Sequence, residues 1–119
     1  MDRTNTRKLT VLATLIITVS FCYDVFSQDY RILVTNDDGI ESPLLHNLVA
    51  NLASLSRVEI VVAAPDQNQS GSSQSSVGGP LIVKKVSIKG AAEAYSISGR
   101  PADAVRFAVV QLQNPNKFD

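Results

Sequence analysis

A strand–helix–strand pattern over residues 31–64 constrains the fold of this chain more than any other feature. Residues 31–35 and 58–64 are short runs rich in β-branched apolar side chains, which predict two buried strands. Ser42 and Pro43 suit the N-cap and the first position of a helix between them. Such a βαβ unit predicts a parallel sheet, and nearly continuous apolar strands predict helices on both of its faces. The pattern therefore predicts an α/β fold with three layers.

The two predicted helices each carry an apolar stripe. In the first helix, apolar side chains recur at helical spacing and predict one buried face. Its members are Leu44, Leu45, Leu48, Val49, Leu52 and Leu55. The second helix is predicted over residues 102–112, with Val105, Val109 and Leu112 on one side.

The segment between the second strand and the second helix divides into a loop and a hairpin. Residues 67–79 contain only Ser, Gln, Asn and Gly apart from Val77, so they predict a loop of a length that is commonly functional or disordered. Residues 81–88 and 93–98 have β-forming composition and predict a two-stranded antiparallel arm. The pattern contains no third parallel strand, so we expect an incomplete α/β domain, the N-terminal part of a longer one.

The first 27 residues predict a secretory signal peptide. Three basic side chains precede an apolar run over residues 9–21, and Ser27 provides a small side chain for cleavage. The run is shorter than the ~20 apolar residues of a membrane span. An uncleaved anchor is the alternative, whereas bulky Phe21 argues against lipidation of Cys22. We therefore expect residues 28–119 to form the domain, in the periplasm or outside the cell.

The charge and cysteine content of residues 28–119 exclude several classes of site. Eight basic and nine acidic side chains give no indication of a surface for nucleic-acid polymers or anionic membranes. The single cysteine, Cys22, belongs to the predicted signal peptide, which excludes a disulfide or a thiolate metal site from the mature domain.

Polar residues follow both strands of the βαβ unit. Asn36-Asp37-Asp38-Gly39 follows the first strand, and residues 66–71 follow the second. Ligands of open α/β sheets bind at the carboxyl ends of the strands, so we expect these two segments to meet. Adjacent carboxylates with a hydroxyl suit Mg²⁺ or Mn²⁺, which polarise phosphate esters and activate water. The same residues also suit a plain turn followed by a helix cap, because Asp-Gly is a common turn pair.

Other residues carry weaker signals. His46 is the only histidine and lies beside the apolar stripe of the first helix, so we interpret it as structural. An isolated histidine disfavours a Ser-His-Asp hydrolase. The glycines of residues 71–79 match neither a Walker A motif nor a dinucleotide fingerprint.

Three ordered motifs resemble the SurE family of nucleotidases. They are residues 32–43 around the Asp37-Asp38 pair, residues 64–71 ending in Ser70-Gly71, and residues 99–105. The resemblance covers residues 30–119 and implies a Rossmann-like α/β domain with extended arms that assembles into dimers or tetramers. It also implies a metal-dependent phosphatase of nucleoside monophosphates. Most family members are cytosolic, so the predicted signal peptide is a departure.

The resemblance further implies roles for individual residues. It implies Asp37, Asp38 and Ser70 as metal ligands, Asp37 also as the catalytic residue, and Asn36, Gly39 and Gly71 as the lining of a phosphate pocket. A fourth ligand, an asparagine, is expected in a segment after Asp119. In-line attack by water activated by the metal, and a nucleophile or general-base role for Asp37, both remain open. Arg100 stands where the family usually has threonine, which affects substrate fit.

Two other functions fit the same residues. The chain can be a secreted binding module for nucleotides or metal that lacks turnover, as Arg100 allows. It can also be a fragment that does not fold by itself.

Overall fold

The computed structural model describes residues 30–113 and 117–119, so the predicted signal peptide lies outside the described residues. Within the described part, no helix has the length and apolar character needed to cross a bilayer. The elements are β1 Tyr30–Val34, α1 Pro43–Ala53, β2 Val58–Pro65, β3 Val83–Val86, β4 Glu93–Ile97 and α2 Pro101–Phe107, which continues as a π-helical segment Ala108–Leu112.

The four strands of the described residues form one mixed sheet in the order β1-β2-β4-β3. β1 pairs in parallel with β2, and β2 pairs in parallel with β4. β3 runs antiparallel to β4 at one edge. The predicted α/β fold with a mainly parallel sheet is therefore confirmed. Because β1, β2 and β4 run in the same direction, their carboxyl ends lie side by side, and "edge" below means this end of the strands.

The predicted antiparallel hairpin is confirmed, but the expectation that it forms an arm separate from the core strands is wrong. β3 and β4 form the hairpin, with Val83 opposite Ile97, but β4 also pairs with β2, where Ile97 lies opposite Pro65. β4 is consequently a third parallel strand inside the sheet, and the expectation that the chain lacks one is also wrong. A hairpin is recognisable from local sequence, whereas the pairing of β4 with β2 joins segments about 30 residues apart.

Side chains of β2 alternate between two apolar clusters on opposite faces of the sheet. Ile60, Val62 and Ala64 pack with Leu45 and Val49 of α1. On the other face, Ala63 packs with Ile97 of β4 and with Ala104 and Ala108 at α2 and its continuation. The alternation follows the two-residue period of a strand and produces a helix–sheet–helix arrangement.

The structure corrects both predicted helix faces. On α1, Leu45 and Val49 are buried, but Leu44 is 73% exposed and Leu48 is 47% exposed. The apolar stripe of α1 is therefore wider than the strip of helix that touches the sheet in the described part of the chain.

On α2, the predicted contact side is also shifted. Ala104 and Ala108 are fully buried against the sheet, whereas Val105 and Val109 are 37% and 41% exposed. Alanines carry little side-chain bulk, so the face that contains them can approach the sheet most closely. The valines consequently lie on the flank of the helix.

The two helices begin differently. Ser42 occupies the N-cap of α1 as predicted, but its hydroxyl makes no capping hydrogen bond, and its carbonyl accepts the hydrogen bond from the His46 N–H. Arg100 occupies the N-cap of α2, where a guanidinium has no acceptor to offer. Asp103, three residues later, accepts from the Arg100 backbone N–H at 3.0 Å and supplies one half of a capping box.

Candidate functional site

The turn after β1 is held by the side chain of Asn36. The Asn36 amide nitrogen donates to the Gly39 carbonyl at 3.0 Å, and the Gly39 N–H donates to the Asn36 amide oxygen at 3.2 Å. Both ends of this amide are thus engaged by one residue, as in the side-chain turns that Asn favours. The contacts give Asn36 a turn-forming role, while its contact with substrate remains a prediction.

Gly39 brings the turn into direct contact with the loop after β2. Its φ is +101°, and a Cβ at this position would lie 2.9 Å from the Gln67 carbonyl carbon and 3.3 Å from the Asn68 nitrogen. The Ile40 N–H also donates to the Pro65 carbonyl at 2.8 Å. Only glycine combines this backbone conformation with so close an approach, and the two predicted halves of the site therefore meet.

Hydrogen bonds connect the carboxylate pair to the second motif. The Gln69 N–H donates to the Asp37 backbone carbonyl at 2.7 Å, and the Asn68 amide nitrogen lies 3.4 Å from Asp38 Oδ1. The Ser70 N–H donates to the Asn68 amide oxygen at 2.9 Å. Asn68 thus connects Asp38 with Ser70, a role that the motif alone does not reveal.

The donor set at this edge suits a hard divalent cation. Asp37, Asp38 and Ser70 are all exposed, so two carboxylates and a hydroxyl are available without disturbing the core. Oxygen donors of this kind are those that Mg²⁺ and Mn²⁺ prefer. Among the described residues, no group of three or more His, Cys, Asp or Glu lies close enough to hold a metal. A cation here would therefore rely on the hydroxyl, on water and on substrate as well as on the carboxylates.

Gly71 follows Ser70 in the left-handed region, with a φ of +86°. In contrast with Gly39, a Cβ added to Gly71 would meet no atom within 4 Å. Its backbone is thus open to approach by another group, while a role in a phosphate pocket remains a prediction.

A third segment reaches the same edge because β4 is parallel to β2. The Asp66 N–H donates to the Ile97 carbonyl at 2.8 Å and joins the loops that follow the two strands. These loops enclose an open cavity of about 300 Å³ whose lining includes Asp66, Gln67, Gln69, Val77, Ser98 and Arg100. The structure therefore brings the third motif to the site, a placement that sequence reasoning supports only through resemblance.

The buried carboxylate of Asp103 holds two segments of the cavity lining in place. It is completely buried, and its Oδ2 accepts hydrogen bonds from the Val77 N–H at 2.9 Å and the Arg100 N–H at 3.0 Å. Its Oδ1 lies 3.3 Å from the Arg106 guanidinium. Two walls of the cavity are thus fixed to one carboxylate. The only sequence signal for this role is an acid three residues after the N-cap.

His46 contacts the end of the turn and not the carboxylate pair. Its Nε2 is 2.9 Å from the Ile40 carbonyl, and because a carbonyl only accepts, Nε2 carries the proton. The contact ties α1 to the end of the turn and agrees with a structural role.

Comparisons with known proteins agree with this geometry. The family model described as survival protein SurE matches residues 32–119. The 5'-nucleotidase SurE of Vibrio parahaemolyticus is 40% identical over 90 residues, which are 75% of this chain and 33% of that protein. The 5'-nucleotidase SurE of Clostridium botulinum strain Loch Maree is 45% identical over 87 residues, or 72% of this chain and 34% of its own length.

A third relative, the 5'-nucleotidase SurE of Clostridium kluyveri, is 40% identical over 92 residues, which are 75% of this chain and 36% of that protein. The chain thus spans about a third of the length of the curated relatives it matches. The matched region contains the end of β1, all of β2 and β4, and the three polar segments at their carboxyl ends. By this match and this architecture, the chain belongs to the survival protein SurE family.

Proposed function

We propose that this chain contributes a divalent-metal site to a phosphatase that hydrolyses nucleoside monophosphates. The observation that carries the proposal is the junction of the Asp37-Asp38 turn with the Asn68–Ser70 segment, made by the Gln69–Asp37 and Asn68–Asp38 hydrogen bonds. The relatives named 5'-nucleotidase SurE support a phosphate ester of a nucleoside as the substrate class.

In this proposal, Asp37, Asp38 and Ser70 hold Mg²⁺ or Mn²⁺, and Asp37 is the catalytic residue. The bound cation would supply Lewis-acid polarisation of the phosphate ester. Asp37 and Asp38 are exposed and lie in the turn that follows β1, so their carboxylates are presented to a group arriving from solvent. Asn36, Gly39 and Gly71 complete the phosphate pocket.

The test is phosphate release from nucleoside 5'-monophosphates by the complete natural protein with added Mg²⁺ or Mn²⁺. We expect Asp37→Ala to lower kcat/KM by about 10²-fold or more and to weaken Mn²⁺ binding measured by calorimetry. Glu41→Ala is the matched control, because it removes another exposed carboxylate four residues away and should change neither quantity appreciably. Unchanged activity in Asp37→Ala would refute the central assignment. Nucleotide and metal binding without phosphate release in the wild type would instead indicate a binding module.

We also propose that the protein is exported and assembles as a homodimer or homotetramer. The basic and apolar pattern of residues 1–27 supports export. Mass spectrometry of the protein from its native host should find the N-terminus at Gln28, and an intact N-terminus on a cytosolic protein would contradict export. Light scattering should find two or four copies, and a monomer would contradict assembly.

A further inference from the structure

We propose that the cavity beside the carboxylate pair is a subsite for a second phosphate group, held by Arg100. The protein would then act on nucleoside 3',5'-bisphosphates in preference to monophosphates. The inference rests on the proposed function, because it places one phosphate at Asp37 and Asp38 and the other at Arg100.

The location of the cavity is the first support. It lies between the loops that follow β2 and β4, and the strand order places β1, with the carboxylate pair at its end, directly beside β2. Neighbouring strands are ~4.8 Å apart, so the ends of β1 and β4 are separated by roughly 10 Å. A ribose with a phosphate on each side can bridge this span when the arginine side chain extends towards it.

The state of Arg100 is the second support. The residue is half-buried, lines the cavity, and has its backbone N–H fixed by the buried Asp103. In contrast with Arg31 and Arg106, Arg100 takes part in none of the ion pairs found among the described residues. Asp66 lines the same cavity and is exposed to solvent. Among the described residues, Arg100 thus forms no ion pair with Asp66, although both line the same cavity.

The chemistry of the lining selects the ligand class. A guanidinium presents a planar fork of donors that matches two oxygens of a phosphate, which a neutral hydroxyl or amide cannot reproduce. The side chains of Gln67 and Gln69 add neutral hydrogen-bonding groups at the same wall. Since part of the lining is open to solvent, a charged group can enter without complete loss of its hydration. These properties favour an anionic group over an apolar one.

The experiment compares substrates in the complete natural protein. For the wild type, Arg100→Gln and Arg100→Lys, kcat/KM is measured with a nucleoside 5'-monophosphate and with the corresponding 3',5'-bisphosphate. We expect the wild type to prefer the bisphosphate, and we expect Arg100→Gln to lower this preference at least tenfold. Arg100→Lys should recover part of it. Lys89→Gln is the control for charge. It makes the same change of net charge in the turn before β4, at the end of the strands opposite to the cavity, and should leave the preference unchanged.

Two results would overturn the subsite. One is a preference that Arg100→Gln leaves unchanged, as when kcat/KM falls equally for both substrates, which would make Arg100 a residue that only supports the loop. The other is a wild type that does not prefer the bisphosphate. Calorimetry with the bisphosphate separates this inference from the proposed function: Arg100→Gln should weaken binding at least tenfold even in the Asp37→Ala background, where hydrolysis should be about 10²-fold slower or more. Absence of turnover in the wild type with Arg100-dependent binding would contradict only the proposed catalysis. Turnover in the wild type with binding that does not depend on Arg100 would contradict only the subsite.

Discussion

Replacing Gly39 with alanine tests whether the two motifs are joined by backbone contact. At this position two costs coincide, a φ of +101° and a Cβ that would lie 2.9 Å from the Gln67 carbonyl carbon. The atoms in its way belong to backbone and cannot turn aside as the end of a flexible side chain can. Either the turn or the β2 loop must therefore move.

The two costs can be estimated separately. A non-glycine residue in the left-handed region costs roughly 1–2 kcal/mol. Overpacking of a well-packed site typically costs another ~1–3 kcal/mol. Gly39→Ala should consequently lower the free energy of unfolding by about 2–5 kcal/mol. Part of the second cost can be avoided by moving the loop, which would separate Ser70 from the carboxylate pair.

The chain provides graded controls for this prediction. Gly71 has a φ of +86° but open space around a Cβ, so Gly71→Ala should show only the conformational cost, about 1–2 kcal/mol. Gly78 lies outside the left-handed region and is also open. Gly78→Ala should be neutral or stabilising by up to ~1 kcal/mol, because it reduces the entropy of the unfolded chain.

Urea unfolding of the complete natural protein measures the three changes on one scale. The expected order of destabilisation is Gly39→Ala, then Gly71→Ala, then Gly78→Ala. If the loop after β2 moves away from the turn, Ser70 is separated from the carboxylate pair, and Mn²⁺ affinity measured by calorimetry should fall most in Gly39→Ala. Equal destabilisation by the Gly39 and Gly71 substitutions would refute the contact between the turn and the loop, and with it the geometric basis of the site.

Three further predictions concern the rest of the fold. Asp103→Ala should lower the free energy of unfolding by about 2–4 kcal/mol, because it leaves two backbone N–H groups without their acceptor. Hydrogen exchange should become faster at the Val77 N–H, and unchanged exchange would contradict the role of Asp103 in holding the two segments. Ala104→Leu should lower the free energy of unfolding in urea by ~1–3 kcal/mol, because Ala104 is fully buried between α2 and the sheet. An unchanged free energy would mean that α2 lies farther from the sheet. The pKa of Glu93 is lowered from its ordinary value chiefly by the hydrogen bond from the Tyr95 hydroxyl, so its contribution to stability is present above the pKa of the unfolded chain and is lost as pH falls through the folded pKa. With Glu93 36% exposed, that loss should stay under about 1 kcal/mol and should be smaller in Tyr95→Phe, where Lys85 still lowers the pKa of Glu93. Urea midpoints at neutral and acid pH measure it, and an identical acid dependence in both proteins would argue against the hydrogen bond.

The hairpin illustrates what local sequence can and cannot determine. Alternating β-formers on both sides of Lys89 and Gly90 are sufficient to predict the antiparallel pairing of β3 with β4. They do not predict that β4 enters the sheet beside β2, because that pairing depends on a distant partner and on burial of residues such as Ala94 and Ile97. The same limit applies to the helix faces, where Leu44 and Val105 are apolar but exposed in the described part of the chain.

For the candidate site, the sequence supplies the candidate ligands, and only the folded chain brings them together. The Asp37-Asp38 pair after an apolar strand, together with the polar loop after the second strand, predicts oxygen ligands at the carboxyl ends of the strands, because parallel strands place those ends together. Only the folded structure places Asn68 between Asp38 and Ser70, makes Asp103 the anchor of Val77 and brings Arg100 to the same edge. The physical reason is range: strand and turn propensities act over a few residues, whereas these contacts join loops that meet only after the parallel sheet has formed.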